Sequence, residues 1–156
     1  MKFKYLLLSF MLLILVGSIA AIAADEDYGS LGDYTFDIPD GYQIRNCSDD
    51  YVLLESDQYH TISICALDAN TNRNVLKYML ERSMYDFVYS SNYTKGDYDI
   101  EENHYNQDYQ RGIVYLCDNG DELIVIDYKV PVLDDLSDSP VEVILDGWLN
   151  YQKSIK

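Results

Sequence analysis

The chain has 156 residues, 48% of them apolar, with 27 acidic against 11 basic side chains and a net charge of −16. That length makes one ordinary domain with a core of its own. A field that negative repels phosphate, which excludes nucleic acid and an anionic lipid surface as partners and leaves cations, basic surfaces and neutral glycans.

The chain begins with Lys2 and Lys4 and then carries no charge from Tyr5 to Ala24. The small-x-small triplet Ala21-Ile22-Ala23 closes this apolar span, just before the acidic run Asp25-Glu26-Asp27. That order reads as an export signal over residues 1–23, cleaved after Ala23. The span is also long enough to stay in a bilayer as an uncleaved amino-terminal anchor, its basic end inside. Either way the rest of the chain works outside the cytoplasm, secreted or held at the outer face of a membrane. The first cysteine, Cys47, stands too far from the apolar span for lipid attachment there.

Residues 24–33 are acidic and contain Gly29 and Gly32, and they read as a flexible lead. A single domain is expected over 34–156. Tyr34-Thr35-Phe36-Asp37-Ile38-Pro39 alternates apolar and polar as an edge strand, stopped by the Pro39-Asp40-Gly41 turn. Tyr42 to Arg45 makes a further short strand. Tyr51–Leu54 and Thr61–Leu67 are β-rich and flank Ser56-Asp57-Gln58, so they read as a hairpin.

After Asn70-Thr71-Asn72 the period changes. Val75, Leu76, Met79, Leu80, Met84, Phe87 and Val88 recur at steps of three and four. This predicts an amphipathic helix of roughly four to five turns whose apolar stripe faces the core. Residues 90–96 read as a polar loop ending at Gly96, and Tyr98–Tyr105 as a polar strand. Gln110–Cys117 and Glu122–Val130 flank Asp118-Asn119-Gly120-Asp121, where Asn-Gly predicts a type I′ turn. That turn sets Leu116 opposite Leu123, Tyr115 opposite Ile124, Val114 opposite Val125 and Ile113 opposite Ile126. Both faces of the hairpin are apolar, so the sheet needs cover on both sides.

Ser139-Pro140-Val141-Glu142 supplies a cap residue, a proline at the first helical position and a glutamate three places after the cap. The helix it opens carries Val141, Ile144, Leu145, Trp148 and Leu149 on one stripe. The expected fold is α+β in the order β-β-β-β-α-β-β-β-α. It is an antiparallel sheet with its two helices on opposite faces, an α/β/α sandwich.

Phe36-Asp37-Ile38-Pro39-Asp40-Gly41-Tyr42 resembles the F-x-x-P-x-G-aromatic opening of PsbP- and Mog1-like domains. The order of elements is similar to theirs and spans Tyr34 to Lys156. The resemblance implies an α/β/α sandwich that serves as an accessory, assembly or binding module with varied partners. It carries over no catalytic residue.

The three cysteines Cys47, Cys65 and Cys117 are an odd number without a C-x-x-C pair. An oxidising compartment allows at most one bridge and one spare thiol, and an anaerobic one leaves all three reduced. Asn46-Cys47-Ser48 and Asn92-Tyr93-Thr94 are glycosylation sequons. Asp97, Asp99 and Glu101 alternate, so on a strand they share a face at about 6.5–7 Å spacing, and with Glu102 they are candidates for a hard cation such as Ca²⁺. The calcium loop of helix-loop-helix proteins needs glycine at its sixth place, where Glu102 stands, so the cluster reads first as an acidic edge that discourages strand pairing. Asp134, Asp135 and Asp138 form a second acidic loop with the same reading.

Two histidines exist, His60 and His104. A general base needs a positioned partner, and a thiol nucleophile would require Cys65 or Cys117 beside one of them. No G-x-S-x-G, H-E-x-x-H or glycine-rich phosphate loop occurs. The expected function is therefore a non-catalytic extracytoplasmic binding or accessory module without a cofactor, its partner a protein or a glycan at the cell surface. The alternative is a small hydrolase or thiol enzyme using His60 or His104.

Overall fold

The structure, a computed structural model, describes residues 28–68, 70–82 and 86–155, with side chains described as far as Trp148. The reading of residues 1–23 as signal or anchor, and the places of Met84 and Leu149 in the two stripes, lie outside these residues and side chains. Among the described residues no helix is long and apolar enough to cross a membrane.

The chain forms a mixed α+β fold. β1 (Tyr28–Leu31) and β2 (Tyr34–Asp37) make a two-stranded antiparallel ribbon. β3 (Tyr42–Ser48), β4 (Tyr51–Ser56) and β5 (Thr61–Asp68) follow, then helix α1 (Arg73–Arg82). After it come β6 (Asp86–Lys95), β7 (Tyr98–Gln107), β8 (Gln110–Asp118), β9 (Glu122–Pro131) and helix α2 (Val141–Ile155). The seven strands β3 to β9 form one antiparallel sheet in the order β3-β4-β5-β9-β8-β7-β6.

Alternation along the strands gives the sheet two apolar faces. On one, Ile62, Ile64, Ile113, Ile124 and Ile126 pack with Val141, Ile144, Leu145 and Trp148 of α2, and Leu31 and Phe36 of the ribbon join them. On the other, Val114, Leu116, Leu123 and Val125 meet Leu76 and Leu80 of α1. α2 is firmly seated, with Trp148 3% exposed and its ring 4.8 Å from that of Tyr34. Its Gly147 is where the helix crosses the ribbon: a Cβ there would stand 2.8 Å from the backbone nitrogen of Asp37. α1 is seated lightly and buries none of its residues fully.

Four expectations are corrected. Residues 28–31, read as part of a flexible lead, form β1, because Leu31 is an apolar anchor at 1% exposure between the two glycines. The first helix ends at Arg82, and Phe87 and Val88 belong to β6. The stretch 90–95, read as loop, is the rest of that strand, paired with β7 from Asp86↔Asn106 to Lys95↔Tyr98. An edge strand tolerates such polar side chains because one of its sides meets water. The observed order is thus five strands, a helix, four strands and a helix.

The fourth correction is the register of β8 and β9. Leu116 pairs with Val125, Tyr115 with Ile126, Val114 with Asp127 and Ile113 with Tyr128. The side chain of Asn119 accepts from the backbone NH groups of Asp121 and Glu122, both at 3.0 Å, and Asp118 accepts from Gly120 NH at 2.7 Å. These Asx contacts widen the connection beyond a two-residue turn. A slip of two residues leaves every side chain on its expected face.

Candidate functional site

Strand pairing gathers three loops at one end of the sheet. Thr61 pairs with Lys129 and Gln110 with Pro131, so the β4–β5 turn, the β7–β8 turn and the segment after β9 emerge side by side. They carry the most exposed of the large apolar side chains among the described residues: Leu133 is 92% exposed, Tyr109 85% and Tyr59 75%.

These loops are tied together. Val132 NH donates to the carbonyl of Tyr109 at 2.9 Å. Nε2 of His60 lies 2.8 Å from Oδ2 of Asp134, which joins the start of β5 to the segment after β9. The β4–β5 turn is closed on itself by Tyr59 NH to the carbonyl of Ser56 and by His60 NH to Oγ of Ser56. Tyr59 (φ 62°) and Asp108 (φ 41°) are the two non-glycine residues with positive φ among the described residues, and both sit here. A tyrosine in that region is strained, and such strain persists where the surroundings enforce it.

The rim is acidic. Asp57, Asp108, Asp135 and Asp138 are exposed on these loops. Hydrogen bonds from the Ser137 side chain and backbone hold the Asp135 carboxyl below the usual carboxylate range.

The other sequence candidates are dispersed. His104 stacks on Tyr89, ring centroids 4.1 Å apart, and lies 3.6 Å from Glu102. Cys47 is exposed on β3, Cys65 half-buried on β5 and Cys117 buried on β8, all as free thiols. Cys65 and Cys117 point to opposite faces. Cys47 and Cys117 are four strands apart, about 19 Å at ordinary strand spacing, well beyond the roughly 7 Å that a bridge spans. Burial, with the charge of Asp50 adding, pushes the Cys65 thiol up to about 11. Burial pushes Cys117 up to about 12. Among the described residues no histidine is hydrogen-bonded to a thiol.

Asp97 falls in the β6–β7 turn, Asp99 accepts from Oγ1 of Thr94 at 3.2 Å, and Glu101 is held by Nζ of Lys77 at 2.7 Å. Among the described residues no three His, Cys, Asp or Glu groups gather as a metal site. Asn46 and Asn92 are exposed on β3 and β6, the two outer strands of the sheet.

Sequence reading missed a buried polar strip on the α1 face. The hydroxyl of Tyr105 donates to Oδ1 of Asp127 at 2.5 Å, and Nζ of Lys129 lies 3.0 Å from Oδ2. Tyr105 reaches across β8 over Gly112, where a Cβ would come within 2.6 Å of its hydroxyl oxygen and 2.3 Å of the Tyr128 carbonyl. Nearby on β7, Asn103 is 1% exposed, and neither atom of its amide has a hydrogen-bond partner. On the α2 face a small, mostly apolar cleft is lined by Tyr98, Ile100, Cys117, Leu145, Trp148 and Lys95, whose ammonium is engaged by Glu142 and Asp146.

No family model matches the chain, and no curated protein does. A solved structure does: the solution structure of cyanobacterial PsbP from Synechocystis sp. PCC 6803. It superposes with a TM-score of 0.51 over 87% of this chain and 96% of that one, at 12% identity. The chain has a PsbP-like fold. Within the Phe36-to-Tyr42 phrase, Phe36 is buried in the ribbon and Gly41 takes φ 82° in the turn before β3. At this identity the PsbP likeness carries the architecture, and activity has to be argued from the sites themselves.

Proposed function

We propose that the chain is an exported, non-catalytic binding or accessory module that works outside the cytoplasm and uses the loop end of its sheet as its contact surface. The observation that carries this reading is the placement of Tyr59, Tyr109 and Leu133 on three loops at one end of the sheet, two of them tied to the third. Single exposed apolar residues are ordinary, whereas a fixed group of them with a polar rim marks an interaction site. In this reading the sheet is the middle layer of a sandwich. α2 covers one face and α1 the other, so the ends remain for a partner. The basic start, apolar span and Ala21-Ile22-Ala23 triplet support export.

The thiol-enzyme alternative has little to stand on. Its two candidate nucleophiles are held protonated by burial, and nothing orients a base toward them.

A photo-crosslinking side chain placed at Leu133 in the full chain, expressed in its host, tests the contact surface. The same group at Val143, exposed on α2, is the control. A discrete adduct from position 133 and none from 143 is expected. No adduct from 133, or the same adducts from both, overturns the reading. Amino-terminal sequencing tests export: a mature chain starting at Ala24 is expected, and intact Met1 in the membrane fraction replaces cleavage with the anchor.

A further inference from the structure

Resting on that contact surface, we propose that its partner is a basic protein segment with apolar side chains that pack around Leu133, Tyr109 and Tyr59 while its cations meet the aspartate rim. The centre of the patch is aliphatic and aromatic together, with Leu133 almost wholly in solvent. On the same loops Asp57, Asp108 and Asp135 are exposed, and Asp134 is engaged by His60. The nearby cations are Lys129, engaged by Asp127, and Arg111, whose charge helps to hold Asp135 ionised. The rim is therefore negative within a chain of net charge −16.

Each simpler occupant leaves part of this arrangement unused. A divalent cation uses the carboxylates, but no metal-like grouping is present among the described residues, and Leu133 and the tyrosines do nothing for it. A neutral glycan can stack on Tyr59 and Tyr109 but gains nothing from Leu133 or from the rim. An anionic lipid surface is repelled by the rim, and a zwitterionic one has no need of it. A protein segment that is both basic and apolar uses every part: apolar anchors at the centre, charge complementarity at the edge, and loops already fixed in place.

The experiment follows backbone amide shifts of the isotope-labelled mature chain during titration with synthetic peptides. The main probe alternates arginine and leucine. The controls alternate arginine with serine and glutamate with leucine, and phosphatidylcholine vesicles form a fourth arm. The arginine-leucine peptide is expected to move amides at 57–60, 108–110 and 132–135. It should bind about tenfold or more tighter than the arginine-serine peptide. Affinity should fall between physiological and about 1 M salt, where screening shortens from about 8 to about 3 Å.

Leu133→Ser combined with Tyr109→Ser should weaken binding about tenfold or more, while Val143→Ser leaves it unchanged. All three side chains are exposed, so these variants keep the fold. Shifts spread over the whole acidic surface, equal binding of the arginine-serine peptide, or capture by the vesicles at the same loops each overturns the proposal. If position 133 crosslinks in the host while these peptide results fail, the contact surface stands and only the partner's chemistry falls. Failure of both removes both.

Discussion

Replacing Asn103 with leucine should make the protein more stable. Asn103 is 1% exposed, and its Oδ1 and Nδ2 both lack a hydrogen-bond partner. It sits opposite Val114 on β8 and on the same face as Tyr105, within the apolar layer beneath α1. An unsatisfied buried polar group costs about 1–3 kcal/mol, and an apolar side chain of similar shape removes that cost. Asparagine is also the poorer strand former. Against this, crowding a tight site with the extra bulk of leucine costs about 1–3 kcal/mol. Two unpaired groups outweigh the crowding by a bulkier side chain with the same number of heavy atoms, and a net gain of about 1–3 kcal/mol in urea titration is expected, with an unchanged slope. Since most substitutions destabilise by about 1 kcal/mol, a gain is not the default result. Asn103→Ala, which frees the same groups but leaves a void, should fall near neutral. A loss of more than about 1 kcal/mol for Asn103→Leu would refute the reasoning and show that the amide is engaged in solution.

Trp148→Ala should cost about 3–5 kcal/mol, because the ring is 3% exposed and lies against Tyr34 and Tyr98; a loss under about 1 kcal/mol in denaturant titration would place α2 at the periphery. Gly147→Ala should lower stability by about 1–2 kcal/mol although alanine is the better helix former by about 1 kcal/mol, since its Cβ meets the Asp37 backbone; a higher melting temperature would mean that α2 and β2 do not touch. Cys47 should react at once with a thiol reagent in the folded chain, Cys65 slowly and Cys117 only on unfolding, and fast labelling of Cys117 would contradict its burial. The same thiols set an alkaline limit. Their folded values of about 11 and about 12 lie above the ordinary 9.0, so the folded state keeps protons that the unfolded state releases. That stability is complete below about pH 9 and is lost as pH rises through the folded values; a denaturation midpoint that stays flat between about pH 9 and pH 12 would refute it.

The parts of the fold that were legible in the sequence are those specified locally. Ser139 caps α2 as expected, accepting from Val141 NH at 3.4 Å while Tyr115 donates to it at 2.9 Å, and the Val141-to-Trp148 stripe is buried. The two apolar runs around Asn119-Gly120 gave β8 and β9 with the right faces. Their register moved because side-chain acceptors on Asp118 and Asn119 competed for the backbone NH groups that a tight turn would have left free. The helical period runs past Arg82 because Phe87 and Val88 of β6 keep it by coincidence. β6 shows how little apolar signal an edge strand needs when its neighbour supplies the hydrogen bonds. β1 was hidden by acids and glycines around one decisive residue, Leu31.

The loop end was illegible for a different reason. His60 and Asp134 each stood out in the sequence, one as a lone histidine and one within an acidic loop, and nothing local joins them. Their contact exists because β5 lies beside β9, a pairing that skips α1 and three strands. The same long-range pairing sets Tyr59 beside the segment that carries Leu133, and the β8–β9 ladder brings Tyr109 to Val132. Periodicity cannot mark these residues, because they stand outside every periodic segment. The φ of Tyr59 lies in the left-handed region, and the His60–Asp134 tie joins its turn to the segment that carries Leu133. Leu133, Tyr109 and Tyr59 stay 92%, 85% and 75% exposed there, against the tendency of apolar groups to turn inward. The contact surface proposed above rests on that exposure, and the crosslink at position 133 is what tests it.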